Sequence, residues 1–308
     1  MDAARILIIA NPAAGAVTPA LVSEVVRVCR RQVRHVSVRW TGGPGEATQI
    51  ASKVGDVAAV VVAVGGDGTV REVAVGLASA WQAATPMLIV PAGTSNSCYH
   101  NLFGPGSWQT AVESALQSPT VRWLDLARVA GRLMFAGASA GFSAQAIHEA
   151  RTPGPSRYHA ALVNLIPRYR PYPGRVTVDG RVVHSGSTLL VNVGGSRYRG
   201  GHFELLPRSV PDDGLLDVCV LGGEHSAAEM MVLTRTGAHL SQPGVVYERG
   251  RQVRIERTDG RPLWFEHDGE VLPLGPSEYT VDVVPSALPV LVELAGAGFA
   301  VVDAGDAA

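Results

Sequence analysis

The first third of the chain alternates between two hydrophobic periods, and this alternation limits the fold more than any other feature. Runs typical of strands cover residues 5–10, 36–40, 57–64 and 87–90. Stripes with helical spacing separate them, and the first stripe begins at Thr18 and Pro19, a favourable N-cap followed by a favourable first helical residue. Strands that alternate with helices predict an α/β domain in which helices cover both faces of a parallel sheet.

The pattern changes after about residue 121, where short runs rich in Val, Leu and Phe are separated by Gly, Pro and Asp. The strand-like runs cover residues 121–129, 133–138, 175–183, 187–193, 215–221, 252–256, 263–267 and 278–284. Helical interruptions are predicted over residues 143–150, 156–166 and 225–238. Many short strands between turn residues predict a second domain that is mainly an antiparallel β-sandwich.

Composition excludes several classes of protein. The 308 residues carry a formal net charge of −1, so no global basic field attracts nucleic acid. Lys53 is the only lysine in the sequence, which argues against a Schiff-base enzyme and against a Walker-type NTPase. The cysteines Cys29, Cys98 and Cys219 lack the paired spacing of a metal site or a disulfide framework.

The sequence also lacks the signals of a secreted or membrane-spanning protein. Its first residues lead into a strand-like run without the apolar stretch of a signal peptide. The most apolar late segment, residues 287–302, is shorter than the roughly 20 residues that a span requires. The Arg/Tyr clusters at residues 168–172 and 197–199 are interpreted as solvated surface, with attraction to anionic lipid as the alternative. We therefore expect a cytoplasmic protein with at most peripheral membrane contact.

Loops of small, turn-forming residues follow four predicted strands of the first domain, at the sheet edge where open α/β folds bind ligands. They cover residues 11–15, 41–45, 65–69 and 91–96. Such loops let backbone N–H groups approach anionic oxygens closely. The third loop lacks both the third glycine of a Rossmann fingerprint and the Gly-Lys-Ser/Thr of a P-loop. The four loops therefore predict a phosphate-binding edge of a different design.

Asp67, in the third loop, is the most informative residue among these four loops. A carboxylate inside a phosphate-binding loop is repulsive unless a divalent cation bridges the two groups. The alternative is that Asp67 caps the helix that is predicted to begin near Thr69. The residue types alone leave both interpretations open.

The run VVAVGGDGTVREVAVGL at residues 61–77 resembles the Gly-Gly-Asp-Gly-Thr motif of the diacylglycerol kinase-like lipid kinases. That family includes sphingosine kinases, ceramide kinases and the soluble bacterial lipid kinases. Further resemblances, in family order, lie at Asn11–Pro12 with Gly15, Thr41 with Glu46, residues 91–96, Asp125, residues 197–218, residues 265–270 and residues 285–292. The ordered set is specific, whereas the Gly-Gly-Asp-Gly core alone also occurs in NAD kinases and phosphofructokinases.

The resemblance implies the NAD kinase/diacylglycerol kinase-like fold, with ATP and Mg²⁺ as cofactors. A nucleotide-binding α/β domain would cover residues 1–121 and be completed by residues 286–302. A β-rich acceptor-binding domain would cover residues 122–285, and residues 303–308 would form a tail. The residues implied in nucleotide binding are Asn11, Pro12, Thr41, Gly65, Gly66, Asp67, Gly68, Thr69, Glu72, Gly93, Thr94 and Asn96.

The resemblance also implies roles for five acidic residues. Asp67 would orient the magnesium–nucleotide complex, and Glu270, with Asp268 beside it, would accept or orient the proton of the acceptor hydroxyl. The alternative for residues 268–270 is a plain hairpin turn, because Asp-Gly is a strong turn signal. The implied metal-binding carboxylates are Asp67, Asp125 and Asp213, with a second, structural cation near Asp213.

The chain departs from the family pattern at one position. Soluble bacterial members usually have Asn-Asp after the fourth loop, whereas this chain has Asn96-Ser97, and Ser97 brings no charge to a cation site. The expected function is transfer of the γ-phosphoryl group of ATP to a hydroxyl of a lipid-like acceptor, such as diacylglycerol or a sphingoid base. The alternatives are a kinase of a small polar or secondary metabolite, or a catalytically weakened lipid-binding homologue. The expected partners are a lipid or other hydroxyl-bearing acceptor and a second copy of the chain, forming a homodimer.

Overall fold

The computed structural model of the protein describes residues 5–80, 85–104, 106–150, 155–201 and 203–292. The strands are β1 (Arg5–Ala10), β2 (His35–Trp40), β3 (Val60–Gly65), β4 (Met87–Pro91), β5 (Thr120–Val129), β6 (Arg132–Met134), β7 (Ala138–Gly141), β8 (Tyr172–Val178), β9 (Arg181–Gly194), β10 (Leu216–Gly222), β11 (Val245–Gly250), β12 (Gln252–Arg257), β13 (Phe265–His267), β14 (Glu270–Val271) and β15 (Glu278–Val292). The helices are α1 (Pro19–Arg30), α2 (Glu46–Ala51), α3 (Asp67–Ser79), α4 (Ser97–Phe103), α5 (Trp108–Gln117), α6 (Phe142–Ala150), α7 (Pro155–Leu165) and α8 (Ala227–Leu233).

The first four strands form a parallel sheet in the order β2-β1-β3-β4. Successive side chains of β1 enter two different cores. Ile6 and Ile8 pack on the side of α1 and α5, and Leu7 and Ile9 pack on the side of α2 and α3. Burial on both faces explains why these strands are continuous apolar runs in the sequence. The predicted parallel sheet with helices on both faces is confirmed.

Strand β15 joins the parallel sheet to the rest of the molecule. It runs parallel to β4 at Val290, and it pairs antiparallel with β5 and with β12. The two runs predicted at residues 278–284 and 287–292 are thus one strand, with a register shift between Val284 and Leu288. Residues 293–308, which include the end of the predicted closing segment and the predicted tail, lie outside the described residues. The domain boundaries remain predictions.

The second half of the chain is mainly antiparallel, as predicted. Its strands continue the sheet in the order β14-β13-β7-β9-β8-β12-β15, and β10 and β11 extend from β9. The sheet encloses one apolar core that includes Val191, Val218 and Phe265. A second core lies where α6, α7 and α8 pack against β9 and β10. The sequence-based β-sandwich is confirmed, with helices over one part of it.

Two predicted strands are wrong. The run at residues 133–138 contains the end of β6, at Met134, and the first residue of β7, at Ala138, with a loop between them. The run at residues 175–183 is a hairpin, because β8 ends at Val178 and β9 begins at Arg181, its direct partner. The two residues between them, Asp179 and Gly180, have φ values of 47° and 80°. Positive φ at both central residues is the geometry of a type I′ turn, for which Asp-Gly is a preferred sequence. The predicted run at residues 187–193 is the second half of β9.

Two sequence expectations concern membranes. No helix in the described part of the chain is long and apolar enough to cross one. The Arg/Tyr cluster at residues 168–172 is only partly surface, because Tyr172 is buried in the β core and Tyr169 donates to the Leu189 carbonyl at 3.1 Å. Arg168 is exposed and paired with Glu149.

Candidate active site

The third loop and the helix that follows it form the centre of the candidate site. β3 ends at Gly65, and α3 begins two residues later at Asp67. Gly65 leaves no room for a side chain, because a Cβ there would lie 2.5 Å from the hydroxyl of Thr69. The Asn11 side-chain amide donates to the same hydroxyl at 3.0 Å and so joins the first loop to the third. The structure therefore brings together Asn11, Gly65 and Thr69, as the sequence predicted.

The fourth loop packs backbone to backbone against the third. A Cβ on Gly93 would lie 2.4 Å from the Cα of Gly66, which explains why both positions are glycine. Asn96 has a left-handed backbone, with φ 49°, and its side chain accepts from the Gly93 N–H at 2.8 Å and donates to the Gly93 carbonyl at 3.0 Å. Exposed at the same sheet edge are Pro12, Gly68 and Thr94.

Two of the residues predicted to bind nucleotide hold the second loop in place. Glu72 accepts from the Gly45 N–H at 2.9 Å and from the Ala47 N–H at 3.2 Å, so its carboxylate caps α2. Thr41 is buried, and its N–H donates to the Ala10 carbonyl at 2.9 Å. The contacts of Glu72 and Thr41 are those of residues that position a loop.

Asp67 connects two helices at the centre of the site. Its Oδ1 accepts from the Cys98 N–H, in the first turn of α4, at 2.9 Å. Its own helix has Gly66 as N-cap, without a side-chain cap bond. The Asp67 carboxylate also hydrogen-bonds to the Cys98 thiol. Mg²⁺ is usually held by one or two carboxylates together with substrate phosphates, so a carboxylate in a predicted phosphate-binding loop fits that ion.

Asp268 is engaged by backbone amides. Its carboxylate accepts from the N–H groups of Phe135 at 2.9 Å, Ala136 at 2.7 Å and Gly137 at 3.1 Å. Its own backbone is left-handed, with φ 49°, as a tight turn requires. Three amide donors stabilise the ionised carboxylate, which makes Asp268 better suited to fixing the turn than to accepting a proton.

Glu270 reaches the helix that carries Asp67. Its carboxylate pairs with Arg71 on α3 and lies 4.0 Å from Arg132 on β6. The hydrogen bond from Arg71 lowers the pKa of Glu270 below its ordinary value. Asp67 and Asp268 both lie close enough to Cys98 that, after burial itself, their charges raise the pKa of its thiol. The three predicted catalytic carboxylates therefore lie around the first turns of α3, in a region that we call the cleft.

A buried ion pair that the sequence did not reveal supports the Glu270 hairpin. The Arg199 side chain is 13% exposed and the Glu266 side chain is 1% exposed, and their charged groups are 2.5 Å apart. Arg199 also donates to the Gly137 carbonyl at 2.9 Å, and Glu266 accepts from the Gly269 N–H at 2.8 Å. The expectation that residues 197–199 form a solvated or lipid-attracting surface is wrong for Arg199, because its charge is neutralised inside the protein.

Replacing Arg199 with methionine is expected to lower the free energy of unfolding by about 3–5 kcal/mol, because Glu266 would be left as an uncompensated buried charge. Arg197 provides a matched control, since it pairs with Glu204 at 2.9 Å but its side chain is 37% exposed. Arg197→Met should cost about 1 kcal/mol or less. Urea unfolding curves of the two variants measure this difference, and equal losses of stability would disprove the buried-pair account.

Asp125 and Asp213 meet at the turn formed by residues 211–214. Asp125 is buried and accepts from the Gly214 N–H at 2.6 Å and from the Ser286 N–H at 2.8 Å. Asp213 accepts from the Leu215 N–H at 3.1 Å and pairs with Arg249. Within the described residues, no group of three or more His, Cys, Asp or Glu side chains is arranged to hold a metal ion. A structural cation near Asp213 remains a prediction, and the contacts made by Asp125 are those of a residue that fixes this turn.

An apolar cavity of about 40 Å³ lies among α6, α7 and α8 and strands β9 and β10. Its lining includes Phe142, Leu162, Leu190, Phe203, Leu221 and Met230. Three of its lining residues, Ser143, Tyr158 and Thr234, are polar. Ser143 donates to Ser139 at 2.7 Å, and Ser139 donates to Glu266 at 2.5 Å. A chain of hydrogen bonds thus connects the cavity to the hairpin.

Comparisons with known proteins agree with this arrangement. Residues 5–129 match the family described as "Diacylglycerol kinase catalytic domain". Residues 133–292 match the "YegS C-terminal NAD kinase beta sandwich-like domain". A protein of Cronobacter sakazakii named "Probable lipid kinase YegS-like" is 30% identical over 274 residues, which cover 85% of this chain and 88% of that protein. One of Salmonella gallinarum named "Probable lipid kinase YegS" is 27% identical over 277 residues, with 86% and 89% covered.

Solved structures show the same fold. A "putative diacylglycerol kinase" from Bacillus anthracis superimposes with a TM-score of 0.77 at 22% identity, covering 94% of this chain and 97% of that one. An NAD kinase from Archaeoglobus fulgidus, solved in complex with ATP, superimposes with a TM-score of 0.53 at 13% identity, covering 94% and 93%. At these identities the structures support the fold, and the sequence matches support the family. The chain therefore belongs to the diacylglycerol kinase-like family of phosphotransferases, as its motifs predicted.

Proposed function

We propose that this protein uses ATP and Mg²⁺ to phosphorylate a hydroxyl group of a lipid acceptor. The observation that carries the proposal is the position of the Glu270 hairpin between two different environments. On one side lies the phosphate-loop helix, reached through Arg71. On the other side lies the apolar cavity, reached through Ser143 and Glu266. An acceptor with an apolar chain in the cavity would present its hydroxyl end to the cleft.

The nucleotide would be held mainly by backbone groups. The N–H groups at the start of α3 and the close approach of Gly66 to Gly93 form a surface that phosphate oxygens can reach. Bound Mg²⁺, with Asp67 as its protein ligand, would neutralise charge on the transferring phosphoryl group. Glu270 would accept the proton of the acceptor hydroxyl. Asp268 would keep the hairpin in position through its three amide contacts.

The character of the cavity favours a lipid over a small polar acceptor. Its walls are mostly aliphatic and aromatic side chains. Two of them, Met230 and Met231, are flexible and can repack around an inserted chain. The cavity would have to widen from its volume of about 40 Å³ to take an acyl or sphingoid chain, and α8, which carries both methionines, is the element that would move.

The Gly68→Ala variant tests whether Gly68 is needed for nucleotide binding or only for the fold. No atom lies within 4 Å of a Cβ at this position, and alanine is favoured over glycine in a helix. We expect thermal stability to stay unchanged or rise, by up to about 1 kcal/mol, while nucleotide affinity falls at least about tenfold, because the Cβ would block close approach of the phosphates.

Gly275→Ala, at an equally open position in the second half of the chain, is the control and should change neither property. Isothermal titration calorimetry with a non-hydrolysable ATP analogue measures the nucleotide affinity. Normal affinity in the Gly68 variant would mean that phosphate does not approach this turn.

Ser97→Asp tests whether the departure from the family pattern weakens the magnesium site. Ser97 is the first residue of α4 and precedes Cys98, whose N–H binds Asp67. A carboxylate here would add a second acid beside Asp67, so the Mg²⁺ concentration for half-maximal activity should fall several-fold. A titration of activity against Mg²⁺ checks this, and an unchanged midpoint would show that position 97 does not contribute to the cation site.

A series of alcohol acceptors of increasing chain length tests the lipid assignment. Each buried CH₂ contributes about 0.8 kcal/mol, so kcat/KM should rise about fourfold per CH₂ until the cavity is filled. A small polar acceptor site predicts a flat or falling series. That result would move the assignment to the kinase of a small hydroxyl-bearing metabolite.

A further inference from the structure

Arg71 occupies a position that neither the motif nor the predicted roles explain. It lies on α3 one helical turn after Asp67, so the two residues share a face of the helix. Helical side chains lean toward the N-terminus of their helix. This tendency brings the Arg71 guanidinium within reach of a phosphate bound at the first turn of α3. The Arg71 side chain is only 15% exposed, so it packs against the protein along most of its length.

The partner of Arg71 comes from the other half of the chain. Glu270 lies on β14, and its carboxylate pairs with the guanidinium of Arg71 across the cleft. The guanidinium is also within the field of Asp268 and Glu72, and all three carboxylates favour its charged form. A guanidinium binds carboxylate and phosphate with the same planar donor geometry. Arg71 can therefore bind Glu270 or a nucleotide phosphate with the same donors.

We propose that Arg71 exchanges Glu270 for a phosphate of the nucleotide, so that nucleotide binding releases the catalytic base. While Arg71 holds the Glu270 carboxylate, its donors stabilise the ionised form and make it a poor proton acceptor. When Arg71 turns to the phosphate, Glu270 is free to take the proton of the acceptor hydroxyl. The exchange rests on the proposed function, and it would link the order of binding to the chemistry.

The exchange makes a specific prediction about nucleotide affinity. Glu270→Gln removes the charge that competes with phosphate for Arg71, so a non-hydrolysable ATP analogue with Mg²⁺ should bind about two- to fivefold more tightly. Arg71→Met should weaken the same binding about tenfold or more, because a charge-assisted contact to phosphate is lost. In the double variant, Glu270→Gln should give no further gain. Isothermal titration calorimetry measures all four proteins without requiring catalysis.

Two controls separate the exchange from a general charge effect. Arg132 also approaches Glu270, at 4.0 Å, but it belongs to β6 and its side chain is 58% exposed. In an Arg132→Met background, Glu270→Gln should still tighten binding of the ATP analogue. Adenosine, which has no phosphate, should bind all of these proteins equally.

The outcomes distinguish failure of the exchange from failure of the function. If Glu270→Gln leaves affinity unchanged, or tightens it equally in the Arg71→Met background, the exchange is wrong and the nucleotide site stands. If the unmodified protein binds no ATP analogue at all, the proposed function is overturned, and the exchange with it.

Discussion

Replacing Asp67 with asparagine is expected to abolish phosphoryl transfer while the protein stays folded. Asparagine keeps an oxygen that can accept from the Cys98 N–H, so the link between α3 and α4 survives. What is lost is the negative charge that would hold Mg²⁺ against the nucleotide. Because phosphoryl transfer depends on positioning and charge neutralisation, we expect turnover to fall by about 10³-fold.

Asp67→Ala is the informative companion variant. It removes the acceptor for the Cys98 amide as well as the charge, so it should lose turnover equally and also lose about 1 kcal/mol of stability. Turnover and thermal unfolding of both variants should be measured side by side. Normal turnover in Asp67→Asn would mean that the carboxylate serves only as a cap for α4.

The second large effect is expected at Glu270, where glutamine should lower kcat by about 10²–10⁴-fold. Glutamine preserves size and can still accept from Arg71, and the Glu270 side chain is 48% exposed, so the fold should not depend on its charge. Thermal stability should stay nearly unchanged. Because the proton acceptor acts in the chemical step, single-turnover kinetics should show the loss there.

Glu278→Gln is a matched control for the Glu270 variant. Glu278 also forms an ion pair with an arginine, Arg254, and its side chain is 47% exposed, but the pair lies on β12 and β15 away from the cleft. The Glu278→Gln variant should have a normal kcat. Two outcomes would defeat the assignment of Glu270: a near-normal kcat, or a loss of activity that only follows a lowered melting temperature.

The fold was predictable wherever burial leaves a periodic pattern. Strands β1, β3 and β4 are buried on both faces, so their apolar runs indicate a parallel sheet directly. The hairpin at Asp179 and Gly180 was missed because its two strands share one alternating run. The turn signal was present in the Asp-Gly pair. Helices α4 and α5 were not predicted from the sequence.

The site was predictable as a set of motifs and unpredictable as a set of contacts. The motif resemblance selected Asp67, Asp268 and Glu270, and the structure places them around one cleft. The spacing of residues in the sequence does not predict which side chains these carboxylates contact. Arg71 meets Glu270 only because the second half of the chain folds back over α3, and no local sequence pattern indicates that contact.

The sequence also does not predict which of two similar residues is exposed and which is buried. Arg197 and Arg199 look alike in the sequence, yet one lies at the surface and the other is buried against Glu266. Glu72 belongs to the recognised motif, but its carboxylate caps α2. Such assignments depend on which chain segments become neighbours. In this protein those neighbours are fixed by β15 and by the loops that pack at Gly66 and Gly93.

The most direct test of the account is the transfer of radioactive phosphate to lipid. The protein is incubated with γ-³²P-labelled ATP, Mg²⁺ and mixed micelles that contain a bacterial lipid extract, and the products are partitioned between organic and aqueous phases. The account predicts a labelled product in the organic phase that depends on Mg²⁺ and is absent with Asp67→Asn. Label found only in a water-soluble product would contradict the lipid acceptor. The absence of any transfer, from a protein shown to be folded, would contradict the kinase assignment itself.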